Sequence, residues 1–114
     1  MRTVAGFLGA LQLELSVTEG PLERMRGLLG RPLQPGQGLL LRPCSVVHTW
    51  GMNYPIDVIF ISRRGTILKI CSDVAQKKFL ACIGAHAVIE LPAGNVNQRM
   101  LQKGMTITSD LLTS

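Results

Sequence analysis

Residues 43–61, PCSVVHTWGMNYPIDVIFI, hold a dense set of side chains that can do chemistry: Cys44, His48, Met52, Asp57, and the chain's single Trp and Tyr, Trp50 and Tyr54. Cys44, His48 and Met52 recur every four residues, a soft-ligand set of the kind that holds copper. The spacing works against a metal. Four residues of strand span about 13 Å, whereas metal ligands must converge, and β-branched Val46, Val47 and Thr49 disfavour the helix that would bring them together. No metal and no cofactor are expected, and Cys44 and Met52 read as core side chains.

His48 beside Thr49 suits general acid/base work, with Asp57 as the group that orients the imidazole. A nucleophile is missing from this arrangement. Ser45 falls on the opposite face from His48 in an extended chain, Cys44 has no neighbour that would lower its pKa, and no G-x-S-x-G turn occurs. Asp57 interrupts a run, Ile56 to Ile61, that is otherwise apolar on both faces, and a buried carboxylate is costly unless hydrogen-bonded. Its expected partners are backbone amides of the 53–55 turn, Thr49, His48 or Arg31. The structural expectation is that Asp57 pins the Tyr54-Pro55 turn. Trp50 and Tyr54, beside Gly51 and Pro55, are amphipathic rings of the kind that line a binding surface. Glu90, between Ile89 and Leu91 just before Pro92, reads as an edge carboxylate that faces solvent or pairs with Arg31 across the sheet.

The elements that must position these residues are mostly strands. Leu11, Leu13, Leu15 and Val17 alternate with Gln12, Glu14 and Ser16, a period of two that puts one face in a core, and the opening MRTVAGFLGALQ, residues 1–12, reads as the first strand or its lead-in. In TEGPLERMRGLLGR, residues 18–31, Pro21 opens a helix whose Leu22, Met25, Leu28 and Leu29 form one stripe and which Gly30 stops. PLQPGQG turns the chain, and a short strand over residues 39–41 follows. Residues 56–61 predict a central strand covered on both faces, and Arg63-Arg64-Gly65 a hairpin turn into a strand over residues 66–71. Residues 72–84 predict an irregular loop with a helical turn near 76–80. Further elements are a strand over residues 87–91, a short helix over 96–103 stopped by Gly104, and a last strand over 105–108.

At 114 residues and 12.4 kDa the chain is one domain, 1–114, and 46% hydrophobic against 17% charged residues is a globular composition. The formal charge of +5 raises the question of nucleic acid. Basic residues are adjacent only at Arg63-Arg64 and Lys77-Lys78, apart from isolated positions, and with one Trp, one Tyr and three Phe there is no stacking face. Nucleic acid is therefore not expected as a partner. Cys44, Cys71 and Cys82 form no CxxC and read as reduced thiols. No apolar run approaches the roughly 20 residues of a membrane span, and no export signal is read at the N-terminus. The expectation is a cytoplasmic monomer.

Four pieces in order, ERMRGLLGR (23–31), GLLLRPCSVVHTWGMNYPIDVIFI (38–61), RRG (63–65) and VIELPAG (88–94), give the chain a resemblance to the domain of unknown function 192 family. The resemblance spans about residues 11–108. It implies a mostly β, sandwich-like domain and a cluster of family-typical residues, here Arg31, His48, Thr49, Met52, Asp57, Glu90 and Gly94, without an agreed activity. Met105 stands where relatives commonly carry an acidic residue, and many relatives carry an export signal.

The combined expectation is a mainly β domain, a small β-sandwich or partly open barrel with one or two short helices. Its pocket or groove, around HTWGMNYPID, is expected to bind a small ligand, a peptide or a protein through Arg31, His48, Thr49, Trp50, Met52, Tyr54, Asp57 and Glu90. The alternative is an enzyme with His48 as general acid/base and Asp57 as its orienter.

Overall fold

Strand-forming runs dominate the described residues, 2–8, 11–18, 34, 36–49, 54–98 and 100–108 of a computed structural model. In chain order they are β1 (Arg2–Leu8), β2 (Leu11–Thr18), β3 (Gln37–Leu41), β4 (Val46–His48), β5 (Ile56–Ile61), β6 (Ile67–Val74), β7 (Phe79–Ala81) and β8 (Ala87–Pro92), followed by one helical turn, α1 (Asn95–Gln98). Six strands form a sheet in the order β1-β2-β3-β8-β5-β6, and β4 and β7 form a separate two-stranded ribbon. All neighbours are antiparallel except β2 and β3. The sheet is open rather than closed, so the mainly β expectation of a sandwich or partly open barrel holds.

Alternation along the central strands sorts side chains into two cores, one on each face of the sheet. Leu15, Leu40, Ile59, Ile89 and Leu91 pack on one face with Val96, Leu101 and Ile107. Leu39, Leu41, Ile56, Val58, Phe60 and Val88 pack on the other, where Cys44 and Val47 from the ribbon side cover them. This is why β5 is buried at all six positions, as a run apolar on both faces apart from Asp57 requires. In β2, Leu15 and Val17 are buried while Gln12 and Glu14 are exposed, as the period of two predicts.

Three expected elements are corrected. The helical turn near residues 76–80 is replaced by β7, in which Leu80 points inward and Phe79 and Ala81 outward; three residues are too few for a period of two to be read. The helix over 96–103 ends after Gln98 because Met100 takes a left-handed conformation (φ 56). The amide of Leu101 then donates to Val96 O (3.0 Å) and that of Met100 to Asn97 O (3.2 Å), a Schellman ending that lets Leu101 pack with Val96. The last strand is reduced to bridge residues at Thr106 and Thr108, Thr106 pairing with Thr66, with Ile67 N donating to Met105 O and Ile107 N to Gly65 O. The predicted helix from Pro21 lies outside the described residues.

Gly65 is the tightest point of this docking. It has φ +90, and a Cβ there would collide with the carbonyl of Ile107. Gly104 has φ +94 but open space around it. Gly65→Ala is therefore expected to lower stability by about 2–3 kcal/mol, combining backbone strain with a steric shift, and Gly104→Ala by about 1 kcal/mol from strain alone. Urea unfolding of the two variants measures the difference, and equal losses would mean that residues 105–108 are not held at Gly65.

Candidate functional site

Asp57 is 1% exposed and its two oxygens are shared between distant parts of the chain. Oδ1 accepts from the amide of Asp73 (2.8 Å), near the end of β6, and Oδ2 from the amide of Val96 (2.8 Å), in the first turn of α1. Asp73 sits at φ 53, where β5 and β6 lose regular register, and the carboxylate satisfies the amide that this irregularity turns inward. The expected pinning of the Tyr54-Pro55 turn is thus corrected: the partners lie 16 and 39 residues away. Among the described residues, no hydrogen bond joins Asp57 to His48 or Thr49.

Thr49 is equally committed to backbone. Its hydroxyl donates to Ala75 O (2.7 Å) and accepts from Lys78 N (2.8 Å), while its own amide donates to Lys78 O (2.9 Å). It therefore clamps the connection between β6 and β7. His48, one residue earlier, lies on the outer face of the ribbon and meets the Phe79 ring edge-on, with centroids 6.1 Å apart. Cys44 is buried with Sγ donating to Val46 O (3.2 Å), so it does not share a face with exposed His48. Tyr54 is half-buried against the ribbon-side core. Arg31, Trp50 and Met52 lie outside the described residues.

Glu90 overturns its reading as an edge carboxylate. Strand β8 lies between β3 and β5, with Leu39 and Val58 directly opposite Glu90 on either side, and Glu90 is 2% exposed. Its Oε2 has no hydrogen-bond partner among the described residues, and burial pushes its pKa up to about 8. Because Glu90 faces the ribbon-side core with Val58 while Asp57 faces the opposite core with Leu91, the sheet separates the two carboxyl groups. Of the expected binding residues, Asp57 and Glu90 therefore lie on opposite faces of the sheet.

Concavity appears instead just upstream of β4. Pro43, Cys44, Ser45, Val46, Ala85 and His86 line an open cleft of about 380 Å³. Its two walls are fixed to each other and to the sheet: Cys44 N donates to His86 O (2.8 Å) and His86 N to Ile61 O (2.9 Å). Partial burial, then the nearby charges of Arg63 and Arg42, hold the His86 imidazole below its ordinary pKa. Arg63 sits in the turn after β5, where Gly65 N donates to Ser62 O and Thr66 N to the Ser62 hydroxyl. Sequence reasoning missed His86, which carries no motif, and took Arg63 for turn surface only.

Comparison with known proteins places the chain among uncharacterised relatives. The domain of unknown function 192 family, described as Uncharacterized ACR, matches residues 4–109. A candidate transcription regulator from Sinorhizobium meliloti 1021 has a similar structure, with TM-score 0.81 and 21% identity over 94% of this chain and 92% of its own. A protein of unknown function from Novosphingobium aromaticivorans DSM 12444 gives TM-score 0.78 and 17% identity over 93% and 83% of the two chains. At these identities the likeness is one of fold. No curated protein matches the chain, and among the described residues no helix is long and apolar enough to cross a membrane.

Two variants test the buried carboxyl groups. Asp57→Asn keeps the shape but turns an NH2 group toward an amide, and is expected to cost about 2–3 kcal/mol in urea unfolding; a loss under about 0.5 kcal/mol would mean that the two amides do not depend on it. Glu90 ionises near 4.5 when unfolded and near 8 when folded. Between those values the native state keeps a proton that the unfolded chain releases, so its contribution to stability falls as pH rises and is level above the window. Glu90→Gln is expected to flatten that slope, roughly 1.4 kcal/mol per pH unit, whereas parallel slopes in both proteins would show Glu90 already ionised.

Proposed function

The chain belongs to the domain of unknown function 192 family, and from that premise, which supplies a fold without an activity, we propose that it is a small-ligand binding domain whose site is the cleft between residues 43–46 and 85–86. The observation that carries this reading is the cleft itself, about 380 Å³ between backbone-tethered walls. That volume lies in the range of sites that take small molecules, and pre-formed walls reduce the ordering cost of binding. The cleft offers a hydroxyl, a thiol and an imidazole beside apolar Pro43, Val46 and Ala85, the mixture that fixes orientation within an apolar contact.

An enzyme built on His48 and Asp57 has less support, since the carboxylate is engaged by the Asp73 and Val96 amides. In the binding reading the 48–57 segment supports the site. Thr49 holds the β6–β7 connection, and Asp57 holds the end of β6 against α1. The test is a fragment screen read by 15N-resolved NMR, in which hits are expected to shift the amides of Ser45, Val46, Ala85 and His86. Ser45 is exposed, so Ser45→Trp fills the cleft at little cost to folding and is expected to abolish those shifts. Shifts that persist in this variant, or that map elsewhere, would refute the cleft as the binding site.

A further inference from the structure

We propose that the outer face of the β4–β7 ribbon docks on an anionic lipid surface, its exposed apolar side chains entering the interface while the adjoining lysines meet the headgroups. The face is set by register. Val46 lies opposite Ala81 and His48 opposite Phe79; Val47, Leu80 and Cys82 pack on the ribbon-side core, so Val46, His48, Phe79 and Ala81 point away from it, and all four are exposed. Ile83 continues this alternation past β7, where Cys82 N still donates to Ser45 O (3.0 Å). Phe79 is 70% exposed, and Ile83, in the turn closed by Ala85 N donating to Cys82 O (3.2 Å), is fully exposed. Five large apolar side chains are exposed among the described residues, and three of them, Val46, Phe79 and Ile83, belong to this face. The surface is separate from the cleft, with which it shares Val46 alone.

Charge selects the partner. Lys77 and Lys78, both exposed, directly precede Phe79, and Lys78 is held beside Thr49 at the ribbon's end, its amide donating to the Thr49 hydroxyl (2.8 Å) and its carbonyl accepting Thr49 N (2.9 Å). Residues 42–49 and 75–86 contain no Asp or Glu, and Asp73, the nearest exposed carboxylate along the chain, belongs to the end of β6. A second copy of the same face therefore offers these lysines no countercharge across a two-fold axis. Apolar side chains that project outward beside cations are the arrangement that enters the headgroup boundary of an anionic bilayer, which closes around them without matched pockets.

The probe is cosedimentation of the full chain with vesicles, phosphatidylcholine alone against phosphatidylcholine containing phosphatidylserine. Binding is expected only where phosphatidylserine is present, and is expected to fall as salt rises. Phe79→Ser combined with Ile83→Ser is expected to weaken it roughly tenfold, and Lys77→Gln combined with Lys78→Gln roughly 25-fold, about fivefold per charge. All four side chains are exposed, so both variants fold. Lys103, exposed on the segment whose Leu101 and Ile107 cover the opposite core, is the control, and Lys103→Gln is expected to change binding less than about twofold. Equal binding to the two kinds of vesicle, or undiminished binding by the Phe79 and Ile83 variant, would overturn the proposal. So would a loss from Lys103→Gln as large as that from either lysine of the ribbon, since binding would then follow net charge. An acidic amphipathic peptide that shifts the β7 amides of a protein indifferent to vesicles would overturn the bilayer as partner and give the face to a protein.

Discussion

A single buried carboxylate joins the parts of this fold that strand pairing does not. Asp57 lies inside β5, and through it the irregular end of β6 and the start of α1 are fixed to the centre of the sheet. Both amides belong to backbone that has left regular pairing, so water or a side chain must satisfy them. In a core where the neighbouring positions are fully apolar, only a side chain can. The charge is tolerated because two amide dipoles converge on it, and the chain's departures from regularity are organised around that point.

The remaining architecture follows from a sheet with two buried faces. Strands β5 and β8 supply side chains to both cores, and each face needs its own cover: the C-terminal residues Val96, Leu101 and Ile107 on one side, the ribbon with Val47 and Leu80 on the other. Lys69 Nζ, donating to Ala81 O (2.9 Å), adds a tie from β6 to the ribbon. The cleft forms where the ribbon's lead-in meets the approach to β8, at the margin of the ribbon-side core to which Cys44 and Ala85 contribute.

Elements with long, uniform patterns were legible in the sequence. β2 and β5 declared themselves by alternation and by a run apolar but for Asp57, and Gly65 by its turn. β7 has too few residues to show a period, and Gly104 drew the predicted end of α1 past Met100 because a left-handed Met is a costly choice made only to bury Leu101. The site was less legible than the fold. Asp57 was recognised as needing partners, but one of them lies 39 residues away and depends on how α1 returns to the sheet. Glu90 was misassigned to an edge because Pro92 suits one, whereas pairing with β3 on one side and β5 on the other puts β8 inside. His86 acquires its character from partial burial first, then from Arg63 and Arg42, only after the sheet has brought three separated segments together.

Among the described residues, the ribbon is joined to the body by side-chain packing and scattered hydrogen bonds, whereas β5 and β8 are paired along their lengths. Such a unit opens by local excursions of lower free energy than global unfolding. Since Ser45 and Val46 belong to the ribbon wall of the cleft and Ala85 and His86 to the body wall, each opening dismantles the cleft. In the proposed binding reading, occupancy and closure form one coupled equilibrium, in which a molecule bound between the walls lowers the opening frequency as it saturates the site. In that reading, amide exchange in β4 and β7 reports on the occupancy of the cleft.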